Sequence, residues 1–129
     1  MMQKFSLAVI ALVLFFSSLS FAETAHPAPK ERVVFYQNSR CTTGDKIILG
    51  RGAYSDLRQW NTAQLGSPTW NDQISCLVIG EGIQRVTVYR HINFKGKSKT
   101  FSRTNKNPLG IWSLTDDWCN NNISSMKIE

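Results

Sequence analysis

The chain has 129 residues, of which 42% are hydrophobic and 11% are aromatic. This length favours one domain or two small ones, and the hydrophobic and aromatic content excludes a disordered protein. Fifteen Lys and Arg residues against nine Asp and Glu residues give a net charge of +6, which favours anionic partners.

Residues 1–22 have the pattern of a secretory signal peptide. A basic start containing Lys4 precedes an apolar run over residues 5–16, and the small residues Ser20 and Ala22 follow. The alternative is a membrane anchor, but the uninterrupted apolar run is shorter than the ~20 residues that a spanning helix needs. We therefore expect cleavage after Ala22 and an exported protein, periplasmic or extracellular, that does not span a membrane.

The remaining chain is predicted to be all-β. Residues 23–31 contain two prolines and no periodic pattern, which is typical of a flexible leader. Beyond them, short runs rich in Val, Ile, Tyr and Phe alternate with turn residues, as strands do. One helical turn is predicted over residues 55–60. The predicted strands cover residues 32–36, 46–49, 74–79, 85–89, 99–102 and 123–128.

The sequence also contains an internal duplication. Asn-Asp-Gln-Ile-Ser-Cys at residues 71–76 recurs as Asn-Asn-Asn-Ile-Ser-Ser at 120–125, and Arg-Val-Val-Phe-Tyr at 32–36 recurs as Arg-Val-Thr-Val-Tyr at 85–89. Repeats of this size indicate two structural units that share one core. We place the joint between the units at residues 80–82. Residues 71–76 and 120–125 are called the two Asx-Ser signatures below.

The second unit carries a recognisable motif. Four residues separate Tyr89 from Phe94 and one separates Phe94 from Gly96, ahead of the second Asx-Ser signature. Together these residues resemble a Greek-key motif of the βγ-crystallin superfamily. Gly96 allows a folded hairpin with positive φ, and the two aromatic rings give that hairpin apolar faces to cover.

The first unit resembles the same family in a different stretch. Residues 51–60, followed by residues 71–76, are similar to the second motif of vertebrate γ-crystallin domains. The resemblance implies one domain over residues 32–129, a β-sandwich of two Greek-key motifs at 32–80 and 83–129.

Cysteines mark where the first unit departs from the family pattern. Cys41 stands where the second aromatic residue belongs, and Cys76 stands where the closing Ser belongs. In the family that Ser hydrogen-bonds to the folded hairpin, so the resemblance implies a Cys41–Cys76 disulfide in its place. Export favours such a bond, and the odd number of cysteines leaves Cys119 as a free thiol.

The Asx-Ser signatures also suggest calcium. In many microbial members of the family this turn binds Ca²⁺, which accepts amide, hydroxyl and carboxylate oxygens. Asp72 is the only carboxylate in the two signatures, and Gln37 and Arg90 occupy places where the family usually has an acidic residue. The resemblance thus implies low affinity, and the alternative is that these side chains only cap turns. The implied ligands are Asp72, Gln73, Ser75, Asn121, Asn122 and Ser124.

Basic residues are concentrated between positions 85 and 106, a stretch without acidic residues. One interpretation is edge protection, because lysines discourage strand edges from pairing with other chains. The other is docking to an unknown protein or an anionic envelope surface, whereas nucleic acid is not expected as a partner of an exported chain. The residues are Arg85, Arg90, Lys95, Lys97, Lys99, Arg103 and Lys106.

The sequence offers no recognisable catalytic set. Enzymes need a nucleophile with a base, paired carboxylates or a metal triad. Asp116 and Asp117 are adjacent, so their side chains tend to diverge, and no local signature links Cys119 to His91. We therefore expect no enzymatic activity.

The signal-peptide pattern indicates export, and the resemblance implies a monomeric, non-enzymatic protein with a binding or structural role. Some small secreted members of the family are metalloprotease inhibitors, and others look like killer toxins. An inhibitor presents a rigid exposed loop, for which residues 61–69 and 103–112 are the candidates. A protease inhibitor or a defence protein of the immunity type is therefore the alternative function, and a killer-toxin-like protein is the third.

Overall fold

Two antiparallel sheets make up the protein. The computed structural model describes residues 27–42, 44–63 and 69–129, so the expected signal peptide lies outside the described residues. Within these ranges, short 3₁₀-type turns lie at Leu57–Gln59 and Ile92–Phe94, and the left-handed backbone of Asn93 interrupts the second. The strands are β1 (Val33–Tyr36), β2 (Lys46–Leu49), β3 (Gly52–Tyr54), β4 (Cys76–Ile79), β5 (Val86–His91), β6 (Lys95–Phe101), β7 (Ile111–Ser113) and β8 (Ser125–Ile128).

The all-β prediction is confirmed, and the helical turn expected over 55–60 is present as the first 3₁₀ turn. No helix among the described residues is long and apolar enough to cross a membrane.

The sheets exchange strands between the two halves of the chain. Sheet A has the order β2-β1-β4-β7, and sheet B has the order β3-β8-β5-β6. β3, from the first half, pairs with β8, and β7, from the second half, pairs with β4. The sequence pattern did not predict β3 or β7, because each has only three residues and takes its strand character from its partner.

One hydrophobic core lies between the sheets. Phe35 and Leu77 of sheet A and Val88 and Met126 of sheet B are fully buried in the same cluster. In β5 the buried Val86 and Val88 alternate with partly exposed residues, as expected for a strand with one face on the core. The two halves therefore cover each other's apolar faces.

The two central strands of sheet A, β1 and β4, are buried on their outer face as well. All four residues of β1 and of β4 are buried, and Val34 and Val78 belong to a second cluster against which Ala28 packs. Backbone bonds hold this segment: the Gly82 N–H donates to the Lys30 carbonyl at 2.7 Å. Residues 28–31, at the end of the expected leader, are thus in contact with the domain. Burial on both faces explains why β1 and β4 have continuous apolar sequences.

Candidate functional site

The β5–β6 hairpin folds back over sheet B. Asn93, Phe94 and Gly96 have φ of 58°, 59° and 79°, and a Cβ at position 96 would collide with the His91 ring. The Phe94 ring packs edge-on against Tyr89, with centroids 5.6 Å apart. The resemblance implies a glycine that allows the folded hairpin and two aromatic rings that the hairpin covers, and Gly96, Tyr89 and Phe94 have these roles in the structure.

Ser125 fastens this hairpin from β8. Its hydroxyl donates to the His91 carbonyl at 2.6 Å and accepts from the Phe94 N–H at 3.0 Å. Ser125 is fully buried. The last residue of the second Asx-Ser signature therefore holds the hairpin in its folded form.

A disulfide fastens the corresponding hairpin of the first half. Cys41 has a φ of 56°, like Phe94, and is bonded to Cys76, with Cα atoms 5.5 Å apart. Both cysteines are fully buried. The pairing is the one that the resemblance implies, and it leaves Cys119 as a free buried thiol.

The Cys119 thiol is unsuited to nucleophilic chemistry. Burial, and then the neighbouring Asp117 carboxylate, raise its pKa to about 11. A thiol with this pKa is protonated at neutral pH, whereas the thiolate is the reactive form.

The two Asx-Ser signatures lie against each other at one end of the sandwich. The Asp72 N–H donates to the Ile123 carbonyl and the Asn121 N–H donates to the Ile74 carbonyl, both at 3.0 Å. Asp72 and Asn121 have φ of 59° and 56°, a conformation that Asn and Asp tolerate better than most residues. Each signature therefore donates the equivalent backbone hydrogen bond to the other, so the two signatures are related by approximate twofold symmetry.

This arrangement pairs the expected calcium ligands across the units. The Ser75 hydroxyl donates to the Asn121 side-chain oxygen at 2.8 Å. Ser124 is the residue of the second signature that corresponds to Ser75 of the first. Its N–H donates to the Tyr89 carbonyl, and the residue before it, Ile123, accepts the hydrogen bond from the Asp72 N–H. Each expected ligand set would therefore combine residues of both halves, and among the described residues the Ser75–Asn121 pair is the one in direct contact.

The other candidate ligands, Gln73, Asn122 and Asp72, form no side-chain hydrogen bond with the opposite signature within the described ranges. Gln73 is half-buried, and Asn122 is exposed with its side-chain N–H donating to the Trp118 carbonyl at 2.8 Å. The Asp72 carboxylate accepts from the Asn71 amide at 3.1 Å. Among the described residues no group of three His, Cys, Asp or Glu could hold a metal. Metal binding here would depend on neutral oxygens and one carboxylate.

Sequence reasoning missed the first residue of each signature. The side-chain oxygens of Asn71 and Asn120 are buried without a hydrogen-bond partner within the described part of the chain. An unpartnered amide oxygen is costly to bury, and these two occupy equivalent positions. The duplication shows an Asn at the first position of both signatures, but the sequence does not show that the side-chain oxygens of these residues are buried.

The structure disperses the seven basic residues of the 85–106 stretch. Lys99 is paired with Asp117 and holds the pKa of that carboxyl below its usual range. Arg103 donates to the Ile79 carbonyl at 3.0 Å, and Lys106 lies in a separate turn. Arg85 contacts Glu129 at 2.7 Å. Arg90 lies on β5, and Lys95 and Lys97 lie on β6, all three exposed.

Comparison with known proteins gives a consistent result for the fold. No protein-family model matches the sequence, and no curated protein is similar to it. A βγ-crystallin domain from Clostridium beijerinckii is 31% identical, with a TM-score of 0.55, covering 75% of this chain and 95% of that one.

Two further structures extend this comparison. A βγ-crystallin domain from Flavobacterium johnsoniae is 28% identical, with a TM-score of 0.56, covering 75% of this chain and 92% of that one. A double mutant of clostrillin, solved in complex with nickel, is 31% identical, with a TM-score of 0.55, and the match covers 75% and 95% of the two chains.

Proposed function

The chain belongs to the βγ-crystallin superfamily, and from this premise we propose that it is an exported, monomeric, non-enzymatic binding protein with a low-affinity Ca²⁺ site. The observation that carries this proposal is the crosswise pairing of the two Asx-Ser signatures. Oxygen atoms of the two halves converge there, and Ser75 and Asn121 are already in contact.

The chemistry of the donors suits calcium and also limits its affinity. Hydroxyl, amide and backbone oxygens are accepted ligands of Ca²⁺, and affinity rises with the number of charged ligands. Asp72 is the one carboxylate among the candidate ligands. An ion between Ser75 and Asn121 must also replace their hydrogen bond. Binding in the millimolar range of extracellular modules is therefore expected.

The two ligand sets are expected to differ in strength. The set that contains Asp72 and Ser124 carries a negative charge, while the set that contains Ser75 and Asn121 is neutral and already hydrogen-bonded. We therefore assign the stronger binding to Asp72 and Ser124.

Calorimetric titration of residues 23–129 with calcium tests this assignment. The unmodified protein should release or absorb heat at millimolar calcium, and Asp72→Asn should abolish most of that signal. Asp116→Asn is the matched control, since it removes another exposed carboxylate, one that lies outside the signatures. Absence of any calcium heat in the unmodified protein would remove the metal from the proposed function.

A specific observation favours protease inhibition as the second candidate function. The loop before β7 presents Leu109, which is 54% exposed. The Asn107 side chain braces this loop, because its amide donates to the Ile111 carbonyl at 2.8 Å and its oxygen accepts from the Ile111 N–H at 3.2 Å. A rigid loop with an exposed apolar residue is what a protease inhibitor presents. The other candidate loop, 61–69, lies partly outside the described residues.

Residual activity of a panel of secreted metalloproteases tests this second candidate. Inhibition by the unmodified protein should be lost in Leu109→Asp and kept in Ile48→Asp, which alters another exposed aliphatic residue. Equal inhibition by both variants, or none by the unmodified protein, would contradict it.

A further inference from the structure

β7 is an outer strand of sheet A. Among the described residues it pairs with β4 on one side, and the sheet has the order β2-β1-β4-β7. The outer side of such a strand presents backbone N–H and C=O groups that can pair with another chain. β7 has only three residues, so its outward groups can be identified one by one.

The pairing with β4 shows which groups of β7 face outwards. The Ile79 N–H donates to the Gly110 carbonyl at 2.9 Å, so these two residues form a hydrogen-bonded pair. Pairs with and without hydrogen bonds alternate along an antiparallel ladder. The next pair, Val78 with Ile111, is therefore one without. The N–H and C=O of Ile111 consequently point away from β4, towards the edge of the sheet.

The Asn107 side chain takes the place of a further strand at this edge. Its oxygen accepts from the Ile111 N–H at 3.2 Å, and its amide donates to the Ile111 carbonyl at 2.8 Å. A residue of a neighbouring antiparallel strand makes the same two bonds, one accepted and one donated. Both outward backbone groups of Ile111 are thus used within the chain.

The end of the ladder is closed by the same loop. In a continued ladder the Ile79 carbonyl would accept from the Gly110 N–H, but here it accepts from the Arg103 guanidinium at 3.0 Å. The Gly110 N–H donates instead to the Asn107 carbonyl at 3.2 Å. The Thr104 hydroxyl accepts from the Asn107 N–H at 3.0 Å, which fixes the position of Asn107. The loop before β7 therefore completes this edge of sheet A.

We propose that Asn107 keeps the protein monomeric by occupying the edge of β7, and that without this side chain β7 pairs with β7 of a second copy. An antiparallel pairing about a twofold axis at Trp112 would place Ile111 of each copy opposite Ser113 of the other, so the same groups are satisfied in both copies. Ile111 packs against the apolar cluster on the outer face of sheet A, and pairing would join these faces. The inference rests on the proposed monomeric state and is independent of the calcium site.

Light scattering after size-exclusion chromatography of residues 23–129 tests the proposal. The unmodified protein should be a monomer, whereas Asn107→Ala should approach the mass of a dimer as its concentration rises to the submillimolar range. The matched control is Asn105→Ala, which removes an exposed amide from the same loop and should stay monomeric. In dilute, monomeric Asn107→Ala, the Ile111 amide should exchange with solvent about two- to tenfold faster, because it has lost one hydrogen bond.

A second variant separates edge pairing from lost folding. Ser113 lies two residues beyond Ile111, so its N–H also points away from β4. Proline lacks this N–H and is tolerated on the outer side of an edge strand. N107A/S113P should therefore be monomeric again, whereas association caused by unfolding would persist.

Three results would overturn the proposal: a folded Asn107→Ala that stays monomeric at submillimolar concentration, equal association of Asn105→Ala, and association of N107A/S113P. A dimer of the unmodified protein would overturn it together with the proposed monomeric state. That failure is distinguishable, because it appears before any residue is changed.

Discussion

Ser125 and Cys76 occupy equivalent positions and fasten their hairpins in different ways. Ser125 uses two hydrogen bonds to the hairpin backbone, whereas Cys76 uses a covalent bond to Cys41. This substitution could be predicted from the sequence because the duplication aligns residues 76 and 125. The Ser75–Asn121 contact could not, because it joins the two halves and depends on how they pack.

Removing the disulfide should destabilise the protein without changing its fold. In the chain-entropy model, a cross-link over a sequence separation of 35 contributes about 3.8 kcal/mol. We expect Cys41→Ser/Cys76→Ser to lower the free energy of unfolding in urea by about 2–4 kcal/mol. Unchanged stability, or a peptide map that shows a bridge to Cys119, would contradict the assignment.

Cys119 should be chemically silent in the folded protein. We expect no reaction with a thiol reagent at neutral pH in buffer and one reactive thiol per chain in denaturant. Its folded pKa is raised to about 11, so the unfolded state loses the proton first as pH rises. Stability should therefore fall between about pH 9 and pH 11. Cys119→Ala should flatten this dependence, and an unaltered profile would count against the raised pKa.

At the scale of elements, the two glycines of the folded hairpins should differ in their tolerance of substitution. Gly96 and Gly44 both have positive φ, 79° and 86°, so alanine strains either backbone by about 1–2 kcal/mol. Only at Gly96 does the added Cβ meet the His91 ring, while at Gly44 the nearest atom lies 3.6 Å away. Thermal denaturation should show Gly96→Ala as the less stable variant, and the reverse order would contradict the described hairpin.

The longer strands could be predicted from the sequence, but their pairing could not. β1, β4 and β5 have apolar or alternating residues that identify them without a partner. β3 includes a glycine and two other residues that are not fully buried, and it becomes a strand by pairing with β8.

At the scale of the whole molecule, strand exchange should make the halves interdependent. Residues 32–80 alone would lack β8, the partner of β3, and β7, which covers the edge of β4. We expect this fragment to be unfolded by circular dichroism, and residues 23–129 to unfold in one cooperative transition. A folded fragment would contradict the shared core.

The paired Asx-Ser signatures connect the fold with the proposed function, and NMR titration of residues 23–129 with calcium tests that connection most directly. The account predicts amide shifts at millimolar calcium in both signatures together, largest near Asp72 and Ser124, since each ligand set draws on both halves. Shifts confined to one signature, shifts located elsewhere in the sandwich, or a spectrum that calcium leaves unchanged would contradict it.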